Sequence, residues 1–253
     1  MPVTAAVLAD ARRCFGWGTE AWSSAGRLQV EDDWWIALSG TPHVAYNLAL
    51  LHGPTSKEVA PRLIEEIDEA GVPTLIMLAS VGLGAVGPLR DAGWVCTSAM
   101  PFMAKLTGPQ FDDPAVRRIA PDELPEARAL AADAFGVPEE VGAIVYGDAA
   151  AGREDALVLG LFEDGELKCC SYGQWVAGRY SVGWALATAP GNQRSGYGRR
   201  LIRAGAYHRT HSGGPPVAIA TATPVAERLY LEEGYVTLEY WQVWSRPRWV
   251  LPT

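Results

Sequence analysis

Apolar and polar positions follow two different periods along the second half of the chain. Apolar residues recur at helical spacing within 123–135, which predicts an amphipathic helix there. The Asp164-Gly165 dipeptide is a strong signal for a hairpin turn between strands. Apolar runs typical of strands lie on both sides of it and beyond, at 156–162, 167–175 and 180–188. We therefore expect three meandering antiparallel strands after the helix.

The third of these strands leads into a loop with glycines and then into a predicted helix over about 196–211. The Gly213-Gly214 pair ends that helix, and a further strand, helix and strand follow it. Antiparallel strands followed by a crossover predict an α/β (α+β) fold. Its central sheet is expected to be mixed and mostly antiparallel, with helices on both faces.

The first half of the chain is compatible with a shortened version of the same fold. It contains possible strands at 31–38 and 45–52 and an amphipathic helix at 57–70. Trp34 and Trp35 are adjacent on the first of these strands, so they point to opposite faces. Both cannot be buried if the sheet is covered on one side only.

Two segments of the chain end in the same way. One runs from an apolar stretch at 73–78 through a helix-compatible stretch to Gly93-Trp94. The other runs from 216–220 through a helix to Gly234-Tyr235. A glycine after each helix suits the left-handed position at a helix C-terminus. We interpret the similarity as an internal duplication; chance recurrence, which is common in α/β chains, is the alternative.

The duplication decides how the length is divided. A chain of 253 residues is compatible with one large domain or with two smaller ones. Two related copies predict a first domain over 1–108 and a second over 109–253. The stretch 107–121 between them contains prolines, a glycine and a cluster of charges, as linkers often do.

Charge, hydropathy and cysteine content narrow the functional class. The 21 basic and 29 acidic residues give a net charge of −8, which argues against a nucleic-acid-binding protein. No apolar run approaches the roughly 20 residues that span a bilayer, and the N-terminus lacks a signal-peptide pattern. The four cysteines are too few for a disulfide scaffold, and no CxxC or HExxH motif indicates zinc. We expect a cytoplasmic protein without a metal, a nucleic-acid partner or a membrane partner.

The stretch from Gln193 to Arg200, with the sequence QRSGYGRR, carries the most informative chemical signal. A loop between a strand and a helix points backbone N–H groups at one spot, where the helix dipole also favours negative charge. Glycines let such a backbone approach a phosphate closely. Arginines add positive charge beside this loop, at Arg194, Arg199, Arg200 and Arg203. Alone the signal is weak, since a glycine-bearing loop before a helix is usually only a turn.

Two linked motifs resemble those of GNAT-type N-acetyltransferases. Gln193-x-x-Gly196-x-Gly198 matches the family's Q/R-x-x-G-x-G/A signature. Thr223-x-x-Ala226-x-x-Leu229-Tyr230-x-x-x-Gly234-Tyr235 is similar to the family's N-x-x-A-x-x-L-Y-x-x-x-G-F segment, at the right distance. The resemblance covers roughly 115–245. Together with the duplication it implies a tandem GNAT arrangement whose N-terminal copy is degenerate.

The resemblance also implies a cofactor and roles for individual residues. Acetyl-CoA would be the acyl donor, with its pyrophosphate on the loop and its pantetheine along a strand, 184–188, that splays from its neighbour. Tyr230 stands at the position of the general acid that protonates the departing thiolate, a role that a phenol with a pKa of about 10 suits. The implied cofactor-binding residues are Leu186, Ala187, Thr188, Gln193, Arg194, Ser195, Gly196, Tyr197, Gly198, Arg199 and Thr223.

The sequence departs from the family pattern in three places. Thr223 stands where the family usually has Asn, and the strand over 181–188 has no carboxylate to act as a base. The base is then water-mediated, or it comes from Glu154, Asp155 or the first domain. The first half lacks both motifs, and Leu89 stands where the second copy has Tyr230. We therefore expect the first copy to have no cofactor site and to wall the acceptor pocket.

These observations predict an acetyl-CoA-dependent N-acyltransferase that moves an acetyl group to a primary amine of a small molecule by direct transfer. Aromatic side chains and an acidic surface would favour a cationic acceptor. Two alternatives stay open: a non-catalytic CoA- or small-molecule-binding sensor or sequestering protein on the same fold, and an enzyme that uses another acyl-CoA. We expect a monomer or a homodimer.

Overall fold

A computed structural model of the chain describes residues 4–23, 27–106 and 109–250. Two positions of the expected linker and domain boundary, Thr107 and Gly108, lie outside the described residues. Within the described ranges, no helix is long and apolar enough to cross a membrane.

The strands in chain order are β1 (Arg27–Val30), β2 (Trp34–Leu38), β3 (Asn47–Leu51), β4 (Leu75–Leu78), β5 (Val95–Lys105), β6 (Val116–Arg118), β7 (Ala156–Glu163), β8 (Glu166–Val176), β9 (Tyr180–Thr188), β10 (Val217–Thr221) and β11 (Val236–Ser245). The helices are α1 (Ala5–Trp17), α2 (Glu20–Ser23), α3 (Ser56–Ala70), α4 (Val86–Asp91), α5 (Leu124–Phe135), α6 (Glu139–Tyr146), α7 (Asp148–Ala151), α8 (Tyr197–His211), α9 (Pro224–Glu232) and α10 (Pro247–Val250). The helix and the three strands predicted at 123–188 are α5 and β7 to β9, whereas α1, α6 and β6 are not predicted from the sequence.

The folded chain divides into two compact units. The first unit comprises Met1–Met103, Thr221–Pro224 and Thr237–Thr253, and the second comprises Ala104–Ala220 and Val225–Val236. This division differs from the predicted ranges 1–108 and 109–253, because β11 belongs to the first unit. There β11 pairs antiparallel with β4. The assignment of the two sequence ranges as copies of one domain stays a prediction.

Helices cover both faces of the sheet in the first unit. Its strand order is β1-β2-β3-β4-β11-β5; β3 and β4 are parallel, and β1–β2, β2–β3 and β4–β11 are antiparallel. Trp34 packs in a core with Leu63 and Ile67 of α3. Trp35, on the opposite face, contacts Phe15 of α1 with ring centroids 6.2 Å apart. Both tryptophans are buried, so the one-sided sheet that would have exposed one of them does not occur here.

The second unit is a sheet with the order β10-β9-β8-β7-β6, in which only β9 and β10 are parallel. Leu201 and Ala204 of α8 pack against Leu159 of β7 on one face, and α5 packs on β8 and β9. Tight hairpins join β7 to β8 and β8 to β9. The central residues of both turns, Asp164-Gly165 and Ala177-Gly178, have positive φ angles, as type I′ turns require.

The same local order recurs in the two units. In each, an antiparallel pair is followed by a helix that crosses to a parallel strand: β2, β3, α3 and β4 in the first, and β8, β9, α8 and β10 in the second. Gly93 and Gly234 have φ angles of +80° and +85° at the expected helix ends. The next N–H donates five residues back in both cases, to the carbonyl oxygens of Leu89 and Tyr230.

Candidate functional site

β9 carries a bulge where the predicted cofactor strand begins. The register with β8 shifts between Cys170 and Tyr172, because β9 has two residues, Ala185 and Leu186, opposite a single residue of β8. Ala185 has a φ of +50°, which is rare for an L-amino acid. The Tyr146 hydroxyl donates a hydrogen bond of 2.6 Å to the Ala185 carbonyl oxygen and holds the bulge. Such a bulge interrupts the ladder and re-aims the backbone beyond it.

β9 also diverges from its parallel neighbour. The two strands pair only where Tyr180–Val182 face Val217–Ile219. β9 then continues to Thr188, and in the described part of the chain these later residues have no ladder partner on β10. This divergence is the splay that the resemblance implies. It leaves strand edges unpaired beside the loop that follows.

The loop between β9 and α8 presents unoccupied hydrogen-bond donors. Arg194 has a φ of +64° and Gly196 a φ of +88°, and Gly196 immediately precedes the first turn of α8. Across the described residues, no protein group accepts a hydrogen bond from the N–H groups of 195–199. A Cβ atom on Gly198 would lie 3.4 Å from a methyl carbon of Leu229, so glycine allows the close approach of α8 to α9. The first turn of α8 can therefore receive an anion.

A cavity of about 600 Å³ opens beside this loop in the second unit. Its wall includes the end of α5, with Ala134 and the exposed Phe135, and the inner side of α9, with Ala226 and Leu229. The cavity brings together most of the predicted cofactor residues: Leu186, Ala187, Thr188, Gln193, Arg194, Gly196, Tyr197, Gly198 and Arg199. Ala226 and Leu229 are part of the second sequence motif, whereas no sequence signal points to Phe135.

Three predicted site residues lie elsewhere. Ser195 is an exposed loop residue that does not form part of the cavity wall. Thr223 is exposed and belongs to a short segment of the first unit. Tyr230 lines a second, smaller cavity of about 90 Å³ between α8, α9 and the sheet. Leu186 lines both cavities.

Tyr230 is held against Tyr235 by an edge-to-face contact, with ring centroids 4.9 Å apart. Burial, followed by the nearby Tyr235 and Cys169, raises the pKa of the Tyr230 hydroxyl above its usual value. The phenol therefore keeps its proton at neutral pH. Within the described ranges, no protein group forms a hydrogen bond with this hydroxyl, which leaves the proton available for donation.

The arginines near the loop are mostly neutralised by carboxylates, and this corrects the expectation of a strong positive field there. Arg200 forms ion pairs with Asp113 and Glu163, and Arg199 and Arg203 both pair with Glu233. These bonds raise the pKa of Arg200. A hydrogen bond from the Tyr197 hydroxyl, followed by the bond from Arg200, lowers the pKa of Glu163. Of the four arginines expected to provide charge, Arg194 alone forms no ion pair with a described residue.

The carboxylates suggested as a base do not lie on either cavity wall. Asp155 accepts hydrogen bonds from Arg153 and from Gln174. Its bond to Arg153 is the main cause of a pKa below the usual value, so Asp155 is a weak proton acceptor. Glu154 is exposed, and it lines neither cavity.

The four cysteines are free, and the two on β8 are not activated as nucleophiles. Cys169 and Cys170 are both buried on β8. Burial raises the pKa of the Cys169 thiol to about 12 and also raises that of Cys170. Since the thiolate is the reactive form, neither side chain is activated for covalent acyl transfer.

Comparisons with known proteins were made by sequence and by structure. No protein-family model matches the sequence, and no curated protein matches it significantly. Solved structures do match it. A GCN5-related N-acetyltransferase from Kribbella flavida superposes with a TM-score of 0.68 at 20% identity, covering 98% of this chain and 97% of the other.

Two further structures agree with it. A GCN5-related N-acetyltransferase from Sphaerobacter thermophilus has a TM-score of 0.59 at 13% identity, covering 84% of this chain and 76% of its own. A tandem GNAT protein from the clavulanic acid biosynthesis pathway has a TM-score of 0.54 at 13% identity, covering 84% and 77%. These structural neighbours are GNAT proteins and cover nearly the whole chain, and the protein described here has the GNAT fold.

Proposed function

We propose that this protein is an acyl-CoA-dependent N-acyltransferase that transfers an acetyl group to a primary amine of a small molecule. The observation that carries the proposal is the cavity of about 600 Å³ between the bulged end of β9 and the loop before α8. Its volume falls within the range of small-molecule and cofactor sites. The GNAT fold of the chain adds to this support, but a fold alone does not decide an activity.

The residues at the cavity fit an acyl-CoA. The N–H groups of 195–199 have no acceptor among the described residues and surround the start of α8, where a pyrophosphate is favoured. Arg194 adds a positive charge on the cavity wall that has no ion pair with a described residue. The backbone of Leu186 to Thr188 lines the cavity beyond the bulge, where unpaired strand groups can bond a pantetheine. When bound, acetyl-CoA supplies the thioester that an amine attacks.

Within this proposal Tyr230 is the general acid. It follows Leu229, which lines the large cavity, and it faces the smaller cavity that also touches Leu186. Its raised pKa keeps the proton on the hydroxyl until a thiolate develops. The acceptor amine loses its proton to water, since none of the described residues on the two cavity walls carries a carboxylate.

The loop assignment is tested by titrating acetyl-CoA into wild type and Gly196→Trp by calorimetry. We expect micromolar binding by wild type and at least a tenfold loss in the variant, because an indole would occupy the space beside the loop N–H groups. Gly178→Trp is the matched control, since Gly178 also has a positive φ (+64°) and open surroundings but lies in a hairpin away from the cavity. Equal binding by all three proteins, or binding by none, would contradict the assignment.

The role of Tyr230 is tested by the Tyr230→Phe variant in a thiol-release assay with acetyl-CoA and a panel of amines. We expect kcat to fall by about 10²-fold or more, with little change in acetyl-CoA affinity, because one proton donor is lost. Tyr235→Phe serves as the control for the neighbouring ring. Unchanged turnover of Tyr230→Phe across the pH range would remove Tyr230 from this role.

A non-catalytic sensor is the second candidate. It is favoured by the position of Tyr230, which does not line the large cavity, and by Thr223 in place of the expected Asn. The same assay separates the two candidates. Tight acetyl-CoA binding without thiol release for any amine would favour the sensor.

A further inference from the structure

A third cavity lies at the C-terminal end of α8 in the second unit, away from the loop that begins this helix. Its volume is about 260 Å³. The floor contains the buried side chains of Lys105 and Arg209, and exposed Gln110 and Thr210 stand at its rim. None of the described residues on its wall is acidic.

Lys105 carries a buried ammonium group that the charge of Glu233 stabilises in part, without a direct ion pair. It is only 2% exposed, and among the described residues it forms one hydrogen bond, to the Pro109 carbonyl oxygen at 3.4 Å. Its nitrogen also lies 5.7 Å from the centre of the Tyr235 ring. No described carboxylate forms an ion pair with it. Burial is the main cause of its lowered pKa; the charge of Glu233 opposes this shift in part, and the charges of Arg209 and Arg203 add to it.

Arg209 is a second buried cation in the same wall. It is 8% exposed, its Nε has no hydrogen-bond partner, and burial lowers its pKa. A Cβ atom on Gly214 would lie 2.8 Å from the Cγ of Arg209, so a glycine at this position is needed to admit the arginine stem. The chain therefore makes room for a guanidinium that no described residue neutralises.

The nearby acid does not resolve this imbalance. Glu233 is fully buried, and it already accepts two hydrogen bonds from Arg203 and an ion pair from Arg199. Lys105 is compensated only in part by Glu233, and Arg209 has no ion pair with a described residue. Two such buried cations oppose folding, since each loses hydration and they repel each other. An anion that enters from the exposed rim would remove both costs.

We propose that this cavity binds a small oxyanion, a phosphate or a carboxylate, through Lys105 and Arg209. A guanidinium and an ammonium together form short charge-assisted hydrogen bonds with such a group. The volume lies below the roughly 300–1,000 Å³ of pockets for drug-sized ligands, so the ligand is a small metabolite or an inorganic ion. The site shares no residue with the cavity of about 600 Å³, but Arg209 also lines the smaller cavity that contains Tyr230.

The test is the thermal unfolding midpoint and calorimetric binding of the full chain in potassium phosphate, potassium succinate and potassium chloride of equal ionic strength. We expect phosphate, succinate or both to raise the midpoint by several degrees over chloride. A response to phosphate alone or to succinate alone identifies the source of the oxyanion. Lys105→Gln and Arg209→Gln are expected to lose this shift, whereas Lys57→Gln, at an exposed lysine of α3, keeps it.

Two further variants test whether the shift arises at this cavity and whether the buried charge of Lys105 is destabilising. Arg194→Gln removes a cation from the loop before α8, and it is expected to keep the shift, which separates this site from the loop. Lys105→Met is expected to raise the midpoint in chloride, because it removes a buried charge that has no ion pair with a described residue. The absence of a shift with both anions, a shift that survives in Lys105→Gln and Arg209→Gln, or a lowered midpoint for Lys105→Met would each overturn the proposal.

Discussion

Each unit contains a strand, a loop and a helix in the same order, but the two loops differ in length and in exposure to solvent. In the first unit, β3 passes through 52–55 to α3, and in the second, β9 passes through the longer loop 189–196 to α8. His52 is buried in the first loop, whereas Arg194 and Gly196 are exposed in the second. The first loop begins with two buried residues, His52 and Gly53, whereas the second borders a cavity of about 600 Å³.

The helix N-termini differ in what occupies their donors. At α3, the Asp33 carboxylate accepts hydrogen bonds from the Thr55 N–H at 3.2 Å and from its hydroxyl at 2.6 Å. The N–H of Ser56 donates to Gly53, and that of Glu58 donates to Thr55. The chain thus supplies its own anion, the Asp33 carboxylate, to the N-terminus of α3. No described residue does so at α8.

The strands beside the loops differ as well. β3 pairs with β4 through its last residue, Leu51 opposite Leu78, without a bulge. Gly82 then approaches so closely that a Cβ there would lie 2.1 Å from the Leu51 carbonyl oxygen. In the second unit, the bulge at Ala185 and the divergence after Val182 leave this space open. The crossover alone therefore does not create a ligand site, which needs the bulge, the splay and unoccupied donors together.

The largest effect expected from this contrast is a fall in the free energy of unfolding at low pH. It comes from the buried His52 in the loop before α3. Burial, together with the charge of Arg12, lowers the pKa of His52 to about 4. Below pH 6.5 the unfolded chain binds a proton at His52 that the folded chain refuses, so stability falls between about pH 6.5 and pH 4. The full contribution is about 3 kcal/mol. Urea unfolding at several pH values measures it.

The matched variants assign this pH dependence. His52→Leu is expected to flatten the decline between pH 6.5 and pH 4, because the group that titrates differently is gone. His211→Leu, at an exposed histidine of α8, is expected to retain the wild-type slope. A His52→Leu protein as acid-sensitive as wild type would mean that the first loop is as accessible to water as the second.

A smaller effect is expected from removing the internal anion of α3. Asp33→Ala loses two hydrogen bonds at the helix N-terminus, and we expect the free energy of unfolding to fall by about 1.5 kcal/mol. Asp32→Ala is the neighbouring control, because Asp32 is exposed and pairs with Arg13 at the surface, where such pairs contribute about 0.5 kcal/mol or less. Urea titration distinguishes the two.

The same variant, Asp33→Ala, tests whether the space beside the loop before α3 is closed to acetyl-CoA. Acetyl-CoA affinity and stoichiometry are expected to stay unchanged in Asp33→Ala, since Gly82 and the complete β3–β4 pairing still close the space. A second equivalent of bound acetyl-CoA in calorimetry would contradict this. It would mean that the Asp33 carboxylate alone keeps the first unit from binding the cofactor.

Local patterns were sufficient for α5 and for β7 to β9 of the second unit but not for α1. Hairpin signals and apolar runs predict β7 to β9 because the relevant residues are adjacent in sequence. In α1 the pattern is hidden by Arg12, which is buried only because it pairs with Glu239, 227 positions along the chain. Once α1 covers the sheet, both Trp34 and Trp35 are buried, which no local pattern indicates.

The same distinction holds for the candidate site: features set by neighbouring residues could be predicted from the sequence, and features set by distant residues could not. The glycine motif locates the loop at 193–198 because its spacing is local. The bulge could not be predicted, since Ala185 is an unusual residue for a positive φ. The ion pairs of Arg200 could not be predicted either, because Asp113 and Glu163 are distant in sequence. As a result, the sequence overestimates the charge available to a phosphate.

The smallest effect concerns that charge. Arg194 has no ion pair with a described residue, whereas Arg228 of α9 is exposed and already paired with Glu232. Arg194→Gln is therefore expected to weaken acetyl-CoA binding about fivefold, or ~1 kcal/mol, through the loss of one charge-assisted contact. Arg228→Gln is expected to bind as wild type. The loss at Arg194 should shrink in high salt, because an exposed charge is screened. Equal acetyl-CoA binding by Arg194→Gln and Arg228→Gln in calorimetry at low salt would contradict this expectation. The backbone N–H groups of α8 alone would then hold the anion. The two helix N-termini would differ only in the acceptor that their N–H groups bind, which is Asp33 at α3 and the cofactor at α8.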